Sequence, residues 1–180
     1  MNTVIIVDML NGFCKEGALA SPRLDSVTPH IVQLLDREQA RGSPLIFLVD
    51  THEPDDAEFQ MFPPHCVRGT RENNIIDELK PFTQRPNATV IPKSRYSGFY
   101  RTDLESVLEQ QRPERVIVCG VCTDICVLHT VADLRNRNYP VDVVRSCVET
   151  YDLPPDHPAD RMNEFALTHM RDILGARVVD

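Results

Sequence analysis

The strongest constraint on this chain is a recurring alternation. Short apolar runs that lack an inside–outside rhythm are separated by stretches with helical spacing. Val4–Val7, Leu45–Val49, Thr89–Ile91, Val116–Cys119, Val141–Val144 and Arg177–Val179 are apolar or β-branched enough to form strands. Val27 to Ala40 carries Val27, Ile31, Leu34 and Leu35 at helical intervals. Thr102 to Gln111 does so with Leu104, Val107 and Leu108, and Thr123 to Asn138 with Cys126, Val127, Thr130, Val131 and Leu134. Ala159 to Leu174 follows with Met162, Phe165, Ala166, Met170, Ile173 and Leu174. Strand and helix in alternation imply parallel pairing with right-handed crossovers. Strands that are apolar at successive positions need cover on both faces. The expected fold is α/β: a three-layer α/β/α sandwich around a central, mostly parallel sheet of about six strands. A length of 180 residues suits a single domain over residues 1–180.

Ligands of such sheets bind beyond the carboxyl ends of the strands. Asp8 directly follows the first strand, and Lys93 lies two residues past the third. Cys126 sits just past the fourth, in Cys119-Gly120-Val121-Cys122-Thr123-Asp124-Ile125-Cys126. Thr123 reads as a helix N-cap with Asp124 in the first turn, which puts Cys126 near the third helical position. A helix N-terminus stabilises a thiolate and lowers its pKa, and a nearby ammonium adds to this. A carboxylate could take the thiol proton and return it to a leaving amine. Gly120 gives backbone room, and the N–H groups of Cys122 and Cys126 could form an oxyanion hole. Singly, each residue has an ordinary explanation: a buried small thiol, a turn aspartate, a surface lysine. Together, at three strand ends, they point to nucleophilic chemistry.

A second group lies nearby. Asp50 and His52 flank Thr51 at the end of the second strand, and residues i and i+2 point to the same side. His65 sits in Phe62-Pro63-Pro64-His65-Cys66, where two prolines stiffen the approach. A carboxylate with imidazoles suits one divalent metal ion, Zn²⁺, Fe²⁺ or Mn²⁺. A plain strand-end cap is the ordinary alternative. The connection from Thr51 to about Ala88 is long and proline-rich, with a weak helical signal at Asn74–Leu79. Its His52, Phe59, Phe62 and His65 are a poor composition for disorder.

A formal net charge of −8 argues against a nucleic-acid partner. No apolar run approaches the roughly 20 residues of a membrane span. The start, Met1-Asn2-Thr3 before Val4, lacks the basic region of a secretory signal, so the expectation is a cytoplasmic protein. The six cysteines then read as reduced thiols. Cys119, Cys122, Cys126 and His129 superficially suggest a metal cluster, but Cys119 ends a buried strand.

At this point a resemblance becomes specific. Val4-Ile5-Ile6-Val7-Asp8-Met9-Leu10-Asn11-Gly12-Phe13, Lys93-Ser94-Arg95-Tyr96-Ser97-Gly98-Phe99 and Gly120-Val121-Cys122-Thr123-Asp124-Ile125-Cys126-Val127 resemble three segments of the isochorismatase-like cysteine hydrolases. Within them the chain is most similar to the nicotinamidases, from Asp8 to the last helix. The resemblance implies Cys126 as nucleophile, Asp8 as general acid/base and Lys93 as the cation that holds both. It implies a cis peptide at Val121–Cys122 that aims the Cys122 N–H into the oxyanion hole. It also implies a metal bound by Asp50, His52 and His65, with waters completing the shell. Many members add a fourth protein ligand between the histidines. It is His in some and Glu in others; no His lies there, and the spacing of Glu58 to His65 is similar to that of the Glu-bearing members, so the resemblance implies Glu58, with Asp55 and Asp56 as close competitors. Phe13, Phe62 and Tyr96 would form an aromatic cage around a flat ring, although the family often has Trp at the position of Phe62. The implied substrate is a small aromatic carboxamide, nicotinamide, with the metal on its ring nitrogen. A carbamoyl or ureido hydrolase would share Asp8, Lys93 and Cys126 but lack the metal ligands. An isochorismatase needs no cysteine nucleophile and no metal, and an idle binding module would not need the intact set. The resemblance also allows a homo-oligomer.

Overall fold

A computed structural model describes all residues, 1–180. Six strands form one parallel sheet: β1 (Asn2–Val7), β2 (Leu45–Asp50), β3 (Ala88–Lys93), β4 (Arg115–Val121), β5 (Val141–Glu149) and β6 (Arg177–Val179). Their spatial order is β3-β2-β1-β4-β5-β6, with every neighbouring pair parallel. Helices follow as α1 (Asn11–Cys14), α2 (Pro22–Asp25), α3 (Thr28–Ala40), α4 (Lys80–Thr83), α5 (Leu104–Gln111), α6 (Leu128–Asn136) and α7 (Ala159–Asp172).

The strand pattern finds its physical reason in two cores. β2 is buried at all six positions. Phe47 and Val49 face one way, with Val4, Ile6, Ile117 and Cys119, against Ile31, Leu34 and Leu35 of α3. Ile46 and Leu48 face the other, with Ile5, Val7 and Val118, against α5, α6 and α7 through Leu104, Leu108, Val131, Leu134, Ala166 and Met170. Alternate residues of one strand therefore serve opposite layers, and both must be apolar. The rule relaxes at the edge strand β3 and at Arg145 and Ser146 of β5. Val90 on β3 is 48% exposed. No helix is long and apolar enough to cross a membrane.

Two local expectations fail. Asn74–Leu79 holds an isolated β-bridge from Ile75 to Leu10 followed by a turn, and the short helix α4 starts after it. The backbone groups there pair with the segment after β1: Asn11 N–H donates to the Asn74 carbonyl at 2.9 Å and Ile76 N–H to the Met9 carbonyl at 3.2 Å. Those long-range bonds replace an intrahelical ladder, while Ile76 and Leu79 are fully buried. Second, Thr123 is not a cap. Thr123–Val127 is one π-helical turn entered from Cys122, and the Thr123 side chain is buried with no capping bond. Cys126 is the fourth residue of that turn, directly before α6.

Candidate active site

The strand order reverses between β1 and β4, where a doubly wound sheet opens a crevice at its carboxyl edge. Asp8 follows β1, Asp50 ends β2, Lys93 ends β3, and Cys126 lies in the turn after β4. In-register pairing sets Asp50 beside Lys93. Gly120 lets β1 and β4 approach: its φ is 113°, and a β-carbon there would run into the backbone of Val7.

Asp8 turns the chain out of β1 with φ 53°, a left-handed conformation that aspartate tolerates better than most residues. Its N–H donates to Leu48 O at 3.0 Å and its carbonyl accepts from Leu10 N at 2.8 Å. Its Oδ1 accepts from Asp50 N at 2.9 Å, and its Oδ2 lies 2.8 Å from Lys93 Nζ. The same Nζ is 3.1 Å from Asp50 Oδ1 and 3.6 Å from Cys126 Sγ. All four side chains are buried. One ammonium thus contacts two carboxylates and the thiol.

Burial pushes the Asp8 carboxyl up to about 6, against the pull of Lys93. Burial also opposes ionisation of Asp50, but Lys93, His52 and His65 outweigh it and hold that carboxyl well below the usual range. Lys93 is penalised by burial, yet Asp50 and Asp8 hold it well above its ordinary value. The Cys126 thiol corrects the expectation of a lowered pKa. Burial, helped by Asp8 and Asp50, outweighs Lys93 and pushes it well above the ordinary thiol range. The Val121–Cys122 peptide is cis.

Asp50, His52, Glu58 and His65 come together, each offering one ligand atom within 4.8 Å of the others. His52 Nε2 and His65 Nε2 lie 3.0 and 3.3 Å from Asp50 Oδ2, and each is 3.9 Å from Glu58 Oε1. The His65 Nδ1–H donates to the Pro63 carbonyl at 2.8 Å, which leaves its Nε2 lone pair for the centre of the group. The Glu58 Oε2 is buried without a hydrogen-bond partner. Two imidazoles and two carboxylates aimed at one point are satisfied together by a divalent cation, so the donor set fits a metal. Asp55 and Asp56 stand outside this group. Phe59 packs against both rings, with centroids 5.3 Å from His52 and 5.6 Å from His65.

A cavity of about 550 Å³ joins the two groups. Asp8, Cys122 and Cys126 border it, and so do Asp50, Glu58 and His65. Phe13, Phe62 and Tyr96 also line it. Sequence reasoning left Tyr151 without a role and missed Ile125, Leu19 and Leu24, which also form part of the apolar wall. Tyr151 was within reach of the strand-end rule, since it lies two residues past β5. It stacks on His157 at 4.0 Å, and His157 Nε2 is 2.7 Å from Asp124 Oδ2 in the Cys126 turn. Cys119 is a core residue with no exposure, and the six cysteines are free thiols.

This fold, with this site at its crevice, defines an isochorismatase-like α/β hydrolase. Residues 2–180 match the Isochorismatase domain. The chain is 33% identical to Nicotinamidase 1 of Arabidopsis thaliana, over 98% of this chain and 84% of that one. Among solved structures it is similar to nicotinamidase PncA from Bacillus subtilis, with TM-score 0.89 and 31% identity over 99% of each chain. It is also similar to N-carbamoylsarcosine amidase from Thermoplasma acidophilum, with TM-score 0.84 and 30% identity over 99% of this chain and 95% of that one. A pyrazinamidase of Pyrococcus horikoshii in complex with zinc aligns with TM-score 0.85 and 27% identity, over 99% and 98%. The chain belongs to the isochorismatase family.

Proposed function

We propose that this hydrolase is a nicotinamidase, converting nicotinamide to nicotinic acid and ammonia for NAD salvage, within one domain spanning residues 1–180. One observation carries the reading: a single cavity is bordered by both the thiol group and the carboxylate–imidazole group. A small-amide hydrolase needs the first. A ring nitrogen gives the second a purpose.

The Cys126 thiol is protonated at rest, so attack requires a proton acceptor. Asp8, with its carboxyl near 6, is ionised at neutral pH and takes that proton. Lys93 stays an ammonium and stabilises the thiolate as it forms. Sγ attacks the carboxamide carbon, and the N–H groups of Cys122 and Cys126 receive the oxyanion. Asp8 returns the proton to the departing ammonia. It then deprotonates a water, which attacks the thioester, releases the acid and restores the thiol. Asp50, His52, Glu58 and His65 would hold the metal ion, which would supply a Lewis-acidic anchor for the ring nitrogen. Phe13, Phe62 and Tyr96 flank the ring and turn its carboxamide toward Cys126.

The likeness to N-carbamoylsarcosine amidase favours a second reading, a carbamoyl or ureido hydrolase. Ammonia release across a panel of aromatic and ureido amides, with metal analysis of the purified protein, separates the two. Turnover of nicotinamide with one bound divalent ion per chain is expected. Turnover of ureido amides alone, without stoichiometric metal after replenishment, rejects the nicotinamidase reading.

A further inference from the structure

The side of the metal group that faces away from the cavity is built as carefully as the side that faces in. Asp56 follows His52 by four residues, and its side chain is nearly buried. Its Oδ2 lies 3.1 Å from His52 Nδ1, and its Oδ1 accepts from Glu58 N at 2.9 Å. Arg95 Nη1 donates to both oxygens of the same carboxylate, at 2.9 and 3.1 Å. Asp50 and Asp56 flank the two ring nitrogens, and a carboxylate only accepts, so with Nε2 given to a metal the His52 proton sits on Nδ1 and faces Asp56. The Nε2 lone pair is then directed at the point shared with Asp50 and Glu58.

His65 obtains the same orientation from a backbone carbonyl, that of Pro63. His52 obtains it from a side chain whose own position depends on an arginine. The Asp56 carboxylate also caps the short turn Ala57–Gln60 that carries Glu58. One residue therefore orients two of the four ligand side chains. Arg95 adds a connection of another kind. It lies between Lys93, at the thiol group, and Tyr96, on the cavity wall. Its pairing with Asp56 ties the end of β3 to the loop that carries Glu58.

We propose that Asp56 is a positioning residue of the metal centre rather than a ligand, fixing His52 for coordination through Nε2, with Arg95 holding Asp56 in place. The proposal rests on the metal reading given above. Partners of this kind around a metal-bound imidazole typically account for about 10- to 100-fold in metal affinity.

The test is titration of the metal-free protein with Zn²⁺ against a chromophoric chelator. It compares wild type, Asp56→Ala, Asp56→Asn and Arg95→Met, with thermal unfolding of each metal-free form alongside. Asp56→Ala is expected to weaken Zn²⁺ binding by about 10- to 100-fold. Arg95→Met should weaken it less. Asp56→Asn should recover part of the loss, because its one carbonyl oxygen can still accept from His52 Nδ1, while its amide nitrogen then stands where Oδ1 accepts from Glu58 N. Arg95 is partly exposed and its replacement leaves the turn cap intact, so it carries the test if Asp56→Ala fails to fold. Unchanged Zn²⁺ affinity in Arg95→Met and in whichever Asp56 variants fold overturns the proposal. So does a loss in Asp56→Asn equal to that in Asp56→Ala with Arg95→Met unaffected, because that pattern belongs to a direct ligand. Wild-type protein that binds no Zn²⁺ refutes the metal reading itself, an outcome distinct from both.

Discussion

The two ends of the cavity are built differently. At the thiol end, Asp8 and Lys93 sit at strand termini and Cys126 in the turn directly after a third strand. At the metal end, Asp50 closes β2 and His52 follows it, but Glu58 and His65 arrive on a loop. The thiol end takes its geometry from strand pairing, which is cooperative and deeply buried. The metal end takes half of its geometry from side-chain contacts made by the loop itself. Asp50 belongs to both ends: Oδ1 faces Lys93, and Oδ2 faces the two imidazoles.

The largest effect should fall on the thiol end alone. Cys126→Ala is expected to lower ammonia release from nicotinamide by about 10³-fold or more while the metal content stays at wild-type level. Retained turnover would remove Cys126 from the chemistry. Asp50→Asn tests the shared residue. Losing this carboxylate should deplete bound metal and also cut kcat/KM by about 10²-fold, because the Lys93 ammonium loses a buried partner. Metal loss with unaltered kcat/KM for a substrate lacking a ring nitrogen would assign Asp50 to the metal end only.

The pH profile probes the thiol end without a mutation. Burial raises the Asp8 carboxyl to about 6, and the reaction needs its ionised form. Activity should therefore be full above that value and fall as pH drops through it, approaching about tenfold per pH unit in kcat/KM. A profile flat down to the ordinary carboxylate range would exclude Asp8 as the base. Glu58→Gln should be milder, weakening metal retention by about tenfold as one charged ligand becomes neutral. Unchanged metal content would shift that position to water. Cys119→Ala should be the smallest change: about 1–2 kcal/mol of stability by denaturant unfolding, with kcat unaffected.

The same contrast governs what could be read in the sequence. Six strands and their parallel pairing were legible because runs such as Leu45–Val49 are apolar at successive positions, which a sheet covered on both faces requires. Asp8, Lys93 and Cys126 were legible because such a sheet has one ligand-binding edge. Asp50, His52 and His65 were carried by a short motif. Choosing Glu58 over Asp55 and Asp56 depended on which carboxylate the turn Ala57–Gln60 swings inward, and that is decided by tertiary contacts. Asn74–Leu79 misled for a related reason, since its backbone bonds to Met9 and Asn11 lie far away in sequence. The direction of the Cys126 shift was hidden too. A helix start favours a thiolate, but the burial of the thiol and the two carboxylates beside it cannot be seen from one motif.

The pairing of β3, β2, β1 and β4 side by side also settles where this chain can change length. Adjacent strands stand about 4.8 Å apart whatever the size of the segments joining them. Residues inserted between α4 and β3, or between α5 and β4, would add chain outside the sheet and leave the separations of Lys93, Asp50, Asp8 and Cys126 as they are. A single deletion inside β1 or β3 would draw its terminal charge back by about 3.3 Å and turn it to the opposite face. Length variation is therefore admissible in the connections and excluded from the strands, with the sheet serving as the ruler that spaces the chemistry.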